Sequence, residues 1–228
     1  MKHLAVLALW LPALAVAQTY PAKPVRLIAA SSPGSAVDIV SRVIAQKLSE
    51  QLGQQVVVDN RAGAGGNLGA ELAAKAAPDG YTVFMATPAQ AINTGLYRKL
   101  DYDLVRDFSP VSQLTVGHYC VAVHPSLPVQ SVKELIAFAR ARRGQLNYAS
   151  AGNGNATHLA GELFTSMAKI ELVHVPYKGS GPGLTDLIGG QVQIMFPNLT
   201  AAIPYVKSKR LHVLAVSGEK RSGIMPAL

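Results

Sequence analysis

Two hydrophobic signatures take turns along the chain. Residues 25–30 form a short apolar run bounded by small and polar residues, the form of a strand covered on both faces. Ile39, Val40, Val43, Ile44, Leu48 and Leu52 then recur at helical spacing, and Gly53 supplies the stop. The alternation continues with a strand at 55–58, a Gly-rich turn at 63–66, an Ala-rich helix over about 67–77, the turn Pro78-Asp79-Gly80, and a strand at 81–86. From about 108 to 124 the pattern is extended. Ser131 and Glu134 have capping-box spacing and open a helix that Gly144 closes. A strand at 146–150, a loop at 151–155 and a helix with the face Leu159, Ala160, Leu163, Phe164 and Met167 follow. The last elements are strands at 172–176, 192–196 and 211–216, with helices at 183–188 and near 201–207 between them. Strands alternating with helices, once in each half, predict parallel sheets covered by helices.

The N-terminus breaks this pattern. Lys2 is followed by an apolar run over 4–16, ending Ala15-Val16-Ala17. A basic start, a short apolar stretch and small residues at the end predict a secretory signal peptide over 1–17, with a mature chain from Gln18. The expected organisation is a first α/β domain at 18–118 and a second at 119–228. Export, with Cys120 as the one cysteine and hence no internal disulfide, points to a bacterial periplasm. Hydrophobic residues make up 49 %, too many for a disordered chain. Beyond the N-terminus no apolar run approaches the roughly 18 residues of a membrane span.

Net charge is +8, which raises nucleic acid as a partner. The densest basic run, Arg140, Arg142 and Arg143, falls in the last turn of a helix, where it complements the dipole. No aromatic residues interleave with it, so no nucleic-acid partner is expected.

Two loops carry the candidate chemistry. Ser31-Ser32-Pro33-Gly34-Ser35 and Ser150-Ala151-Gly152-Asn153-Gly154 each follow a strand and open a helix. Small side chains and backbone N–H groups at a helix N-terminus form an anion cradle. Two cradles on two α/β halves predict a cleft between them. Gly63, Gly65, Gly66 and Gly69 lack the G-x-G-x-x-G spacing and read as a tight turn into a helix. His158 and Glu162 share a helix face but fall short of a metal site, and His158 is expected to line the cleft or donate a hydrogen bond. Cys120 and His174 read as structural, and Asp38 as a first-turn acid that complements its helix. There is no G-x-S-x-G elbow, and no catalytic residue, metal or cofactor is expected.

The ordered series of motifs resembles the Bug-type solute receptors of tripartite tricarboxylate transporters. The carrying segments run from Tyr20-Pro-Ala-Lys-Pro-Val-Arg-Leu-Ile28 through Asn60-Arg-Ala-Gly-Ala-Gly-Gly66, Pro78-Asp-Gly-Tyr81 and Leu146-Asn-Tyr-Ala-Ser-Ala-Gly152. His158-Leu-Ala-Gly-Glu-Leu163, Val175-Pro-Tyr-Lys-Gly179 and Gly189-Gly-Gln-Val192 complete the series. The resemblance implies a periplasmic-binding-protein-like (type II) clamshell of two α/β domains with mostly parallel sheets. It implies a receptor, not an enzyme, that binds a di- or tricarboxylate or related acid and delivers it to membrane transporter subunits. The alternative is a ligand-sensing subunit of a signalling system. A monomer is expected. Carried over residue by residue, the ligand-binding set is Ser32, Gly34, Ser35 and Ala36, then Thr87 and Ala89, then Ser150, Gly152, Asn153, Gly154, Thr157 and His158, with Tyr177, Lys178 and Asn198 lining the cleft.

Two departures matter. Where the family commonly has Pro-Phe-Ala-Pro-Gly-Gly-Gly, this chain has Ala30-Ser-Ser-Pro-Gly-Ser-Ala36, which limits positive φ. Where the family commonly has Phe-Asp-Asn, it has Phe196-Pro197-Asn198, which removes an anchor for an amino group. The first half also offers three clear strands, whereas the implied clamshell returns to finish its first sheet. The first domain is therefore expected to be incomplete, with its C-terminal part missing.

Overall fold

The computed structural model describes residues 20–226. The signal peptide expected at 1–17 lies outside them. Two sheets organise the chain, one built from strands within 25–85 and the other from strands within 120–216.

In the first lobe, β1 (Val25–Ala29) is central, with β2 (Val56–Asn60) and β3 (Thr82–Met85) parallel on either side. Helix α1 (Ala36–Leu52) crosses from β1 to β2. Ser35 caps it, its Oγ accepting the Asp38 amide at 3.2 Å, and Gly53 ends it in the left-handed conformation at φ 66°. Val37, Val40 and Ala45 of α1 pack against Leu27 and Met85. On the other face, α2 (Asn67–Ala74) approaches β1 so closely that a Cβ on Gly69 would meet Ala30 Cα at 2.8 Å.

Helix α3 (Pro88–Leu96) lies in a stretch where the apolar pattern predicts no element. Thr87 and Gln90 form a reciprocal capping box with Pro88 in the first turn, which is what allows nine residues of modest apolar content to hold a helix. The chain then runs back along the first lobe, where Phe108 packs on Phe84 and Tyr102, before it enters the second lobe.

The second lobe holds β4 (Cys120–Val123), α4 (Val132–Ala141), β5 (Asn147–Ser150), α5 (Ala156–Ala168), β6 (Val173–Pro176), α6 (Ser180–Ile188), β7 (Ile194–Met195), α7 (Leu199–Lys207) and β8 (His212–Val216). Strand order is β6-β5-β7-β4-β8. This sheet is mixed, which together with the all-parallel first sheet gives the mostly parallel architecture that the resemblance implies. The β5 pairs are parallel, but β4 runs antiparallel to both β7 and β8. Strand β4 enters from the first lobe rather than through a helical crossover, and it fills the gap left by the β7-α7-β8 connection. One face of the sheet packs Leu184, Leu187 and Leu199 beneath α6 and α7. The other packs Leu135, Tyr148 and Phe196 beneath α4 and α5.

Candidate functional site

The loops that leave the C-terminal ends of parallel strands converge between the lobes, the usual ligand position in open α/β sheets. A cavity of about 220 Å³ lies there. The first lobe contributes Gly63, Ala64, Gly65 and Tyr97; the second contributes Ala151, Gly152, Asn153, Tyr177 and Lys178. Gly63, Gly65 and Gly152 adopt positive φ of 122°, 64° and 120°. At two of them the lobes nearly touch: a Cβ on Gly65 would lie 3.0 Å from Asn153 O, and one on Gly152 3.9 Å from Gly65 N. Glycine is what lets the two backbones approach with room for a small ligand.

Helix α3 holds the first wall. Asn93 Nδ2 donates to Gly65 O at 3.2 Å, and Gln90 Nε2 donates to Gly66 O at 3.4 Å. Both side chains are fully buried. Tyr97, the residue that ends α3, sets its hydroxyl 3.5 Å from both Ala64 O and Asn153 O, so it spans the two walls.

The second wall is held from behind. Ser150 Oγ lies 2.6 Å from His174 Nε2 and accepts the Gly152 amide at 3.1 Å. Thr157 Oγ1 accepts the Ala151 amide, and His158 Nδ1 accepts the Gly154 amide. His158 therefore receives a hydrogen bond from the loop rather than giving one. Tyr177 donates from its hydroxyl to Asp186 at 2.7 Å, and burial with that acceptor pushes its pKa up to about 12.

The expected set thus divides. Gly152, Asn153, Tyr177 and Lys178 line the cavity. Ser150, Gly154, Thr157 and His158 shape the loop behind it. Thr87 and Ala89 belong to the start of α3, which braces the opposite wall. Asn198 caps α7 by accepting the Thr200 amide, and is occupied there. Ser32 Oγ accepts from the Gly181 amide in the other lobe, and Ala36 packs against the second-lobe core. Gly34 donates its amide to Asp38. Burial opposes the charge on Asp38, but hydrogen bonds from Arg42, Gly34 and Asn60 outweigh it and lower its pKa. The cradle amides of Gly34, Ala151, Gly152 and Gly154 are accordingly taken by the protein's own acceptors. Ser35 sits at φ −74°, so the Ser in place of glycine needs no strained backbone.

Gly63 to Gly65 and Tyr97 are the cavity residues that the motif reading leaves out. The available signals were a glycine run directly after β2 and the Thr87-Pro88-Ala89-Gln90 helix start, which places Tyr97 two turns on.

A larger groove of about 590 Å³ lies between the C-terminal ends of α4 and α5. Of its three cations two are engaged, Arg140 with Ala168 O and Arg143 with Glu171, and the third, Lys169, shares the groove with the carboxylates of Glu162 and Glu171. It also faces two helix C-termini, which disfavour an anion. The interlobe cavity is the candidate site.

Residues 40–228 match the model of the tripartite tricarboxylate transporter family receptor. The chain belongs to that receptor family. It is 37 % identical over 214 residues to BugT of Bordetella pertussis, covering 93 % of this chain and 66 % of BugT. Among solved structures, it superposes with TM-score 0.86 and 40 % identity on an R. palustris protein with adipate, covering 89 % of this chain and 68 % of that one. It superposes with TM-score 0.85 and 28 % identity on MatC from Rhodopseudomonas palustris with bound malate, covering 92 % and 70 %. The chain spans 62 %, 66 % and 65 % of the first three curated relatives it matches. The receptor family accounts for the α/β clamshell, with lobes whose loops meet across one cavity.

Proposed function

We propose that this receptor-family chain captures a small dicarboxylate between its lobes in the periplasm and presents it to the membrane subunits of a tripartite transporter. It does so as a monomer and without chemical change. The observation that carries the reading is the composition of the cavity. Two glycine turns face each other, Tyr97 offers a hydroxyl group, the Tyr177 ring is fixed by its bond to Asp186, and Lys178 is the one charged side chain among the lining residues. A cation with little competing negative charge, in a cleft of this size, suits a carboxylate held at one end. The adipate and malate carried by the two structural relatives are of that size and charge. Gly152, Asn153, Tyr177 and Lys178 make the direct contacts in this reading. Ser32, Gly34, Ser35, Ala36, Thr87, Ala89, Ser150, Gly154, Thr157, His158 and Asn198 hold the walls in place.

Calorimetric titration with adipate, malate and a tricarboxylate tests it. Binding of at least one, unchanged in mass after incubation, is expected. Lys178→Met should weaken it about tenfold, the scale of a lost charge-assisted contact, while the unliganded melt stays put. Absence of binding across the panel, or a Lys178→Met variant as tight as the parent, would overturn the assignment.

A further inference from the structure

Helix α6 begins without a cap of its own. Its N-cap residue is Gly179, which has no side chain to accept the first-turn amides. Pro182, in the third helical position, has no N–H to satisfy. Of the amides that remain, Gly181 donates to Ser32 Oγ at 3.0 Å. Ser32 belongs to the first lobe, 149 residues earlier in the chain, and is buried at this contact.

The surroundings are shaped for this approach. A Cβ on Gly179 would lie 2.3 Å from Ser32 Oγ, and one on Gly181 would lie 2.2 Å from Pro33 O. Gly179 also holds φ at 114°, where side-chain-bearing residues are strained. Two glycines on one lobe thus admit one serine from the other. Ser32 has no polar contact with the cavity lining, so its hydroxyl serves the lobe contact.

We infer that Ser32 caps helix α6 across the cleft and that this cap is a latch that sets the balance between open and closed lobes. In the closed arrangement the Gly181 amide has a serine acceptor. When the lobes part, that amide and the Ser32 hydroxyl must both turn to water. Closure therefore gains one helix cap, independently of any ligand. Ser32 is then a positioning residue: it acts on affinity through the fraction of molecules already closed.

The test reads lobe separation directly. Dyes placed by Gln51→Cys and Lys133→Cys, one exposed site on each lobe, report the open and closed populations of the 228-residue chain by single-molecule energy transfer. Ser32→Ala should raise the open-to-closed ratio about fivefold without ligand, the size of one lost cap. Gly181→Ala should raise it further, because its Cβ cannot coexist with Pro33 O in the closed state. Adding Ser32→Ala to Gly181→Ala should change nothing more, since the contact is already gone. A Ser32→Ala ratio within twofold of the parent, or an equal effect of Ser32→Ala in both backgrounds, overturns the latch. If Ser32→Ala does not fold, Gly181→Ala decides alone, and an unchanged ratio there overturns it. The ligand arm rests on the proposed dicarboxylate site: adipate affinity should fall by the same factor as the closed population. Failure of the parent to bind adipate counts against the ligand reading, while the ligand-free ratios still judge the latch.

Discussion

The imidazole rings of His158 and His174 stack 4.1 Å apart and 20° from parallel, directly behind the Gly152 loop. Tyr148 also stacks on His174, its ring 4.9 Å away, and Glu162 stands 3.7 Å from His158 Nε2 and accepts from the Tyr148 hydroxyl. Burial, reinforced by the neighbouring imidazole, holds His174 below the usual histidine value, and Glu162 only partly offsets them.

A pH dependence follows with a definite sign. The unfolded chain takes up a proton on His174 at a higher pH than the folded protein does. The stability that rests on neutral His174 is therefore complete above the ordinary histidine value of 6.5 and is lost as pH falls through the lower folded-state value. The thermal midpoint should drop from pH 7 to pH 5, and His174→Gln should flatten that slope. Equal slopes in parent and variant would remove His174 as its source.

Cys120 yields a second expectation. It sits in β4 with 2 % exposure, its Sγ 3.5 Å from Pro197 O, and burial pushes its thiol up to about 12. A thiol so far from ionisation is a poor nucleophile. Native protein at pH 8 should resist iodoacetamide for hours and be modified fully in urea, as read by intact mass. Rapid labelling of the folded chain would contradict this burial.

What the sequence made legible follows from which forces leave a pattern. Helix α1 was readable because its apolar spacing, its first-turn Asp38 and the Gly53 stop agree. Helix α3 was not, because its evidence lies in four capping residues rather than in a long apolar face. The direction of β4 was also hidden: an apolar run reports burial on both faces, not the sense of pairing. At the site, the loop before α5 was readable as a strand-to-helix turn, yet its amides are met by Thr157, Ser150 and His158, a fact of side-chain placement. Gly63 to Gly65 look like any tight turn until the fold sets Asn153 against them.

Gly152 offers the sharpest separation of site from scaffold. Its φ of 120° strains any residue with a side chain, and an added Cβ would lie 3.2 Å from Tyr177 O, on the cavity wall. Gly53 has a comparable demand, φ 66° at the end of α1, but a Cβ there would meet nothing within 4 Å. Left-handed backbone in a residue bearing a Cβ costs roughly 1–2 kcal/mol, so both glycines carry a stability penalty when replaced by alanine. The difference lies in what else the methyl group meets. Gly152→Ala places it where the two lobes approach and where a carboxylate would be held, so dicarboxylate affinity should fall at least about tenfold, beyond the effect of strain alone. Gly53→Ala should lower the urea midpoint to a similar degree and leave affinity within about twofold. Titration of both variants at a temperature where each is folded makes the comparison. Equal affinities in the two would mean that the Gly152 loop does not meet the ligand, and the second wall of the proposed site would have to be drawn elsewhere.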